Sequence, residues 1–115
     1  MNNIIVEKSY SFALNIIEFY KDSNEGKYDK PLSRQLLRSG TSIGANIYEA
    51  QDAQSKADFK SKMNIALKEA RESQYWINLL HDAKILQDNT FCILSPQINE
   101  IIAILTSIVK HTSVK

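Results

Sequence analysis

Glycine and proline are scarce, with three and two in 115 residues, and no Asn-Gly or Asp-Gly dipeptide occurs. Sustained period-2 alternation is missing too, so β-hairpins are not expected. A single cysteine, Cys92, excludes an intramolecular disulfide and permits a reducing compartment. With Phe91, Ile93 and Leu94 beside it, Cys92 is expected to be a small buried hydrophobe. The N-terminal MNNIIVEKSYSF has no basic n-region and no long apolar h-region, so no signal peptide is expected. No window was expected to approach the ~18 uncharged apolar residues that a membrane span needs. A cytoplasmic, soluble single domain over 1–115 is the expectation, large enough for a core without disulfide or metal. Charge of one sign is also lacking: 14 Lys+Arg against 13 Asp+Glu leave +1. Any charged surface must come from segregation along the chain.

Helical periodicity is strong instead. Ile5, Phe12, Ile16 and Phe19 share a seam over Ile4 to Asp22, with Ser9 in the gap. SNEG ends that segment, Gly26 being a candidate C′ residue. Asp29 is a candidate cap for a second helix with Pro31 in its first turn. Gly40 and Gly44 lie four apart inside that helix, each costing ~1 kcal/mol against Ala. Close approach of a neighbouring backbone is the expected reason, ahead of a ligand or a kink. A third helix is expected from Ser55, where Ser55 and Asp58 resemble a capping box, to Asp82. Residues 83–94 read as an apolar connector, and Ser95–Pro96 as the start of a last helix to His111. Four amphipathic helices with short links give an all-α, antiparallel up-down-up-down four-helix bundle.

The sequence offers no pattern for chemistry. His81 and His111 fall on different helices, and no His-x-x-Glu or Glu-x-x-His pair marks a di-iron bundle. There is no Cys/His cluster for zinc, and GTSIG at 40–44 lacks the ending of a phosphate loop. No cofactor, metal or catalytic residue is assigned. An unusual polar stripe does run along the second helix: Arg38, Ser42, Asn46 and Glu49. Opposite it, Glu69 and Glu72 sit on an inner seam of the third helix. Partly buried carboxylates need partners, so Arg38 and Asn46 are expected to reach Glu69 or Glu72. A register-fixing network is the favoured role, ahead of an inter-subunit contact and, last, a catalytic acid/base pair, which no nucleophile or metal signal accompanies.

Charge segregates. Residues 27–38 hold Lys27, Lys30, Arg34 and Arg38 against Asp29 alone. Residues 55–72 hold Lys56, Lys60, Lys62, Lys68 and Arg71 against Asp58, Glu69 and Glu72. The rest of the chain is net acidic. A solvated helix face and a surface for phosphate backbones both fit. The two basic segments begin at opposite ends of an antiparallel pair, so a monomer need not join them.

From Tyr28 to Leu80 the chain resembles the bacterial four-helix-bundle family encoded in intervening sequences of large-subunit ribosomal RNA genes. The marks are Arg38–Ser39, Ser42–Ile43, Asn46–Ile47, Glu49–Ala50, Asp58–Phe59, Ile65–Ala66, Glu69, Glu72 and Tyr75–Trp76. The chain is also similar to the accessory protein of diversity-generating retroelements. These resemblances imply a homo-oligomer, a pentameric barrel in the known arrangement. They imply nucleic-acid binding on a basic barrel surface, here through Lys27, Lys30, Arg34, Lys56, Lys60, Lys62, Lys68 and Arg71. A reverse transcriptase or other protein is the implied partner. They supply no catalytic residues. Faces this apolar on four helices exceed one bundle's core, and Tyr10, Tyr20, Tyr48 and Trp76 suit interfaces. The function expected is a non-enzymatic nucleic-acid-binding accessory or scaffold protein; the alternative is a protein-interaction module without nucleic acid.

Overall fold

The computed structural model describes residues 3–22 and 30–114, with Lys30 by its backbone alone. Gly26, Lys27, Asp29 and the Lys30 side chain therefore lie outside the described residues. Four helices follow one another: α1 (Ile4–Asp22), α2 (Lys30–Ala50), α3 (Lys56–Asp82) and α4 (Asp88–His111). Among the described residues there is no strand. Contacts join α1 to α2, α2 to α3, α3 to α4 and α4 back to α1, while among the described residues the backbones of diagonal helices stay more than 8 Å apart, Cα to Cα. The helices thus stand at the corners of a square. Arg38 faces Glu69 and Glu72, whereas Glu49, further along α2, faces Lys62, earlier in α3. Neighbours are therefore antiparallel, and the bundle measures 49 × 21 × 20 Å.

The core follows the seams. Phe12, Ile16, Leu36, Ile43, Ile47, Met63, Ile77, Leu80, Leu94, Ile98 and Ile101 are buried. The α1–α2 contact is close because α2 carries glycine there. A Cβ on Gly40 would lie 3.1 Å from Ile16 Cγ1 and 3.3 Å from Ile16 Cγ2. One on Gly44 would meet Ser9 Oγ at 3.5 Å and the Ser9 carbonyl oxygen at 3.7 Å. Ser9 tolerates burial because its hydroxyl donates to the Val6 carbonyl at 3.1 Å.

At the start of α3, Ser55 Oγ accepts from the Asp58 N–H at 3.0 Å. The return bond differs from the expected box: the Asp58 carboxylate accepts from the N–H of Gln54, not of Ser55.

Three expectations about the last third need correction. The connector spans only residues 83–87, and Ser95–Pro96 lies inside α4 instead of starting it. Phe91, Leu94, Ile98, Ile101 and Leu105 form one continuous seam through the proline. Pro96 and Cys92, whose carbonyl the proline leaves without its helical donor, are both exposed, on the side where water can take that bond. Burial of Phe91 and Leu94 outweighs the missing hydrogen bond. Cys92, in turn, is exposed and not buried. It precedes Leu94 by two positions and so takes the far side of α4. Finally, α4 taken whole is long and apolar enough, by length and composition, to cross a membrane. In the bundle, Leu94, Ile98, Ile101 and Leu105 of α4 are seated in the core. A helix buried on one side against its neighbours passes the same test.

Candidate nucleic-acid interface

Helix α3 carries acids and bases on different flanks. Toward α2, Arg38 Nη1 donates to Glu69 Oε2 at 3.3 Å, and Nη2 donates to Glu72. The Trp76 indole N–H also donates to Glu72 Oε2, at 3.0 Å. Lys62 lies 3.7 Å from Glu49 and 4.0 Å from Asp58. Beneath these pairs the hydroxyl of Ser73 donates to Ser39 Oγ at 2.9 Å, fully buried. The Glu72 carboxyl is held below its ordinary value of 4.5 by the Trp76 N–H first, then by Arg38, against the opposing effect of burial. Its hydrogen bond to Glu72 raises the Arg38 guanidinium further. Ser42 and Asn46 serve their own helix. The Ser42 hydroxyl donates to the Arg38 carbonyl and the Asn46 amide to the Ser42 carbonyl, each at 2.8 Å. Asn46 thus does not bond Glu69 or Glu72. Its side chain closes locally on the preceding turn, an option open to Asn within helices.

Asp58, Glu69 and Glu72, the carboxylates of the 55–72 segment, are all engaged on that flank. The outer face is left to bases. Lys56, Lys68 and Arg71 are exposed and Lys60 is half-buried. None of the four has an ion-pair partner among the described residues. Their spacing sets them on one stripe with exposed Asn64. The adjoining α3–α4 groove, lined by Ala57, Lys60, Ser61, Asn64, Val109 and Val114, has no carboxylate side chain among the described residues. Glu100 of α4 is turned the other way, 3.0 Å from Lys8 of α1.

The eight bases singled out in the sequence do not converge within one chain. Lys56, Lys60, Lys68 and Arg71 share the stripe, while Lys62 belongs to the α2 flank. Arg34 is exposed on α2, beyond Arg38 and so level with the second half of α3, away from Lys56 and Lys60. Lys27 and the Lys30 side chain fall outside the described residues.

Sequence reasoning did not place Tyr75 here. The residue is 58% exposed, and its ring stands edge-on to Trp76, centroids 5.1 Å apart at 74°. The signal was present: Tyr75 follows Arg71 by four and Lys68 by seven, the spacing of one helix face.

A second surface feature is apolar. Val6, Tyr10, Ala13 and Ile17 of α1 and Ala45 and Tyr48 of α2 line a groove of about 440 Å³. Tyr10 is 68% and Tyr48 71% exposed. Among the described residues, no group of three or more His, Cys, Asp and Glu is placed to hold a metal ion. At the α3–α4 link, His81 stacks on Phe91 and hydrogen-bonds Asp88 at 2.8 Å.

Comparison with known proteins adds the following. Residues 1–107 match the family model described as 23S rRNA-intervening sequence protein. The chain is similar to a crystal structure from Bacteroides thetaiotaomicron, a protein with unknown function from the S23 ribosomal protein family. The two are 44% identical, with a TM-score of 0.88, over 93% of this chain and 99% of that one. No curated protein matches.

Proposed function

The chain belongs to the 23S rRNA-intervening sequence protein family, and on that footing we propose that it is a non-enzymatic, self-associating scaffold that binds nucleic acid. The family match does not itself carry a biochemical role. One observation carries the reading: Glu69 and Glu72 are taken up by Arg38 of α2 and Asp58 by Lys62 and the start of α3 itself, which leaves Lys56, Lys60, Lys68 and Arg71 without an ion-pair partner among the described residues. Free bases on a rigid helix, without carboxylates among them, are what a phosphate backbone needs. A net charge of +1 does not oppose this, because the acidic remainder lies elsewhere in the chain. A cytoplasmic location fits the reading.

Self-association is proposed through the α1–α2 groove, with a second copy as its occupant. Contiguous exposed tyrosine and aliphatic surface on two adjacent helices is characteristic of the centre of an interface. A pentamer is the state proposed. A ring would repeat the stripe around its rim and could bring Arg34 of one copy toward the stripe of the next.

Anisotropy of a labelled 20-nucleotide RNA, titrated with protein from about 50 to 500 mM salt, tests the binding. Affinity is expected to fall steeply with salt. No binding at the lowest salt, or binding indifferent to salt, would overturn it. Light scattering at micromolar concentration tests the assembly, and a monomer would contradict it. A monomer whose protein contacts survive high salt and nuclease would favour the alternative, a protein-interaction module using the same groove.

A further inference from the structure

We infer that the ligand of the α3 stripe is single-stranded nucleic acid and that Tyr75 is the platform on which one of its bases stacks. This rests on the reading that the stripe binds phosphates, and goes beyond it by choosing the form of the strand and assigning a base-contacting residue.

Three observations carry the inference. Tyr75 continues the basic stripe at helical spacing, so a backbone tracking Lys60, Lys68 and Arg71 arrives at its ring. From Lys56 to Tyr75 the stripe runs about 28 Å along α3. That accommodates about four extended nucleotides, the short end of known single-strand sites. Secondly, Tyr75 is more than half exposed, so its aromatic surface is open to a base.

Thirdly, the ring is held. Arg38 fixes the Glu72 carboxylate, Glu72 accepts from the Trp76 indole, and Trp76 meets Tyr75 edge-on. The edge of an aromatic ring is electropositive and its face electronegative, so the T-shaped contact is favourable. It orients the ring while leaving it exposed. A rigid, exposed aromatic at the end of a basic track binds any base through its π-face, with little sequence preference. Duplex bases are stacked on one another and offer that ring nothing. The polar network between α2 and α3 thereby acquires a positioning role: it withdraws two carboxylates from the stripe and props the ring beside it.

The test compares a labelled 20-nucleotide oligo(dT), an oligo(rU) of equal length and a 20-base-pair duplex. Each is titrated against the full chain and its Tyr75→Ala and Tyr75→Phe forms. Both single strands are expected to bind more tightly than the duplex. Tyr75→Ala is expected to weaken single-strand binding about tenfold or more with an unchanged salt slope, and Tyr75→Phe to retain it. Fluorescence of Trp76, the single tryptophan, is expected to change on binding oligo(dT) in the native chain and in Tyr75→Phe. Equal affinity for duplex and single strands, with Tyr75→Ala neutral, would overturn stacking while leaving electrostatic binding in place. Loss in Tyr75→Phe equal to that in Tyr75→Ala would also overturn it, by assigning the contact to the hydroxyl. Absence of binding to all three probes would remove the underlying reading, and this inference with it.

Discussion

Toward α1, helix α2 presents Gly40 and Gly44; toward α3 it presents Arg38, Ser39 and Glu49. The first contact is close and uncharged, with Gly40 against Ile16 and Phe12 and Gly44 against Ser9. The second is built of a buried Ser39–Ser73 hydrogen bond beneath an outer rank of ion pairs. The difference separates two tasks that one helix performs. Glycine gives up about 1 kcal/mol of helix propensity per position to bring α1 near, and burial of the large side chains around it outweighs that cost. The polar side contributes little net stability, because half-exposed ion pairs contribute little. It fixes which residues of α3 face α2, and so which are left for solvent and ligand.

The largest expected effect breaks the close side. Gly40→Val is expected to destabilise the bundle by about 1–3 kcal/mol in urea unfolding, because its branches would overpack Ile16. Gly44→Ala provides the contrast. Its Cβ meets Ser9 at ordinary contact distance, so the gain in helix propensity should stabilise the chain by about 0.5–1 kcal/mol. If both glycines respond alike, their contacts with α1 do not govern the packing.

Arg38→Ala acts on the polar side. We expect about 1 kcal/mol of lost stability in the same unfolding assay, given the 50% exposure of the Arg38 side chain. Its larger consequence should be on binding. Glu69 and Glu72 would be left without their cation, and RNA affinity at low salt should fall although no base of the stripe was touched. Loss of stability without loss of affinity would make the network purely structural.

The smallest effect is one of pH. The folded Glu72 has a pKa below its ordinary 4.5, so its contribution is fully present above pH 4.5 and is lost as pH falls through the lowered value. Trp76→Phe removes the N–H that is the first cause of this shift. The stability gap between the native chain and Trp76→Phe should therefore narrow by a few tenths of a kcal/mol on acidification below pH 4.5, a figure reduced by the 35% exposure of Glu72. A gap constant with pH would assign the indole to packing alone.

The same comparison separates what was legible in the sequence from what was not. Seams such as Ile5–Phe12–Ile16–Phe19 determined α1 and its buried face, because a helix core depends on spacing alone. The Arg38–Glu69–Glu72 contact was also legible, since carboxylates on an inner seam require a cation near them. Asn46 was not, because an amide can close on its own helix as readily as reach across. Pro96 misled for a related reason. Local preference places proline in a first turn, but the apolar seam of Phe91 and Leu94 continued through it, and tertiary burial prevailed. Cys92 followed from the same error, since an unrecognised helical turn has no inside or outside. The basic stripe was legible as composition but not as a surface. Helical spacing alone joins Tyr75 to Arg71, whereas the pairing of Lys62 with Glu49 of α2, which removes it from the stripe, shows only in the folded chain.

The central claim is that unpaired bases on α3 bind a phosphate backbone. The most direct measurement is the slope of log K against log salt for the 20-nucleotide RNA, for the native chain and for the combined Lys56→Glu, Lys60→Glu, Arg71→Glu variant. Three lost contacts to a single strand should flatten the slope by about 2 and reduce affinity at low salt. The same slope and the same affinity in both chains would contradict the account.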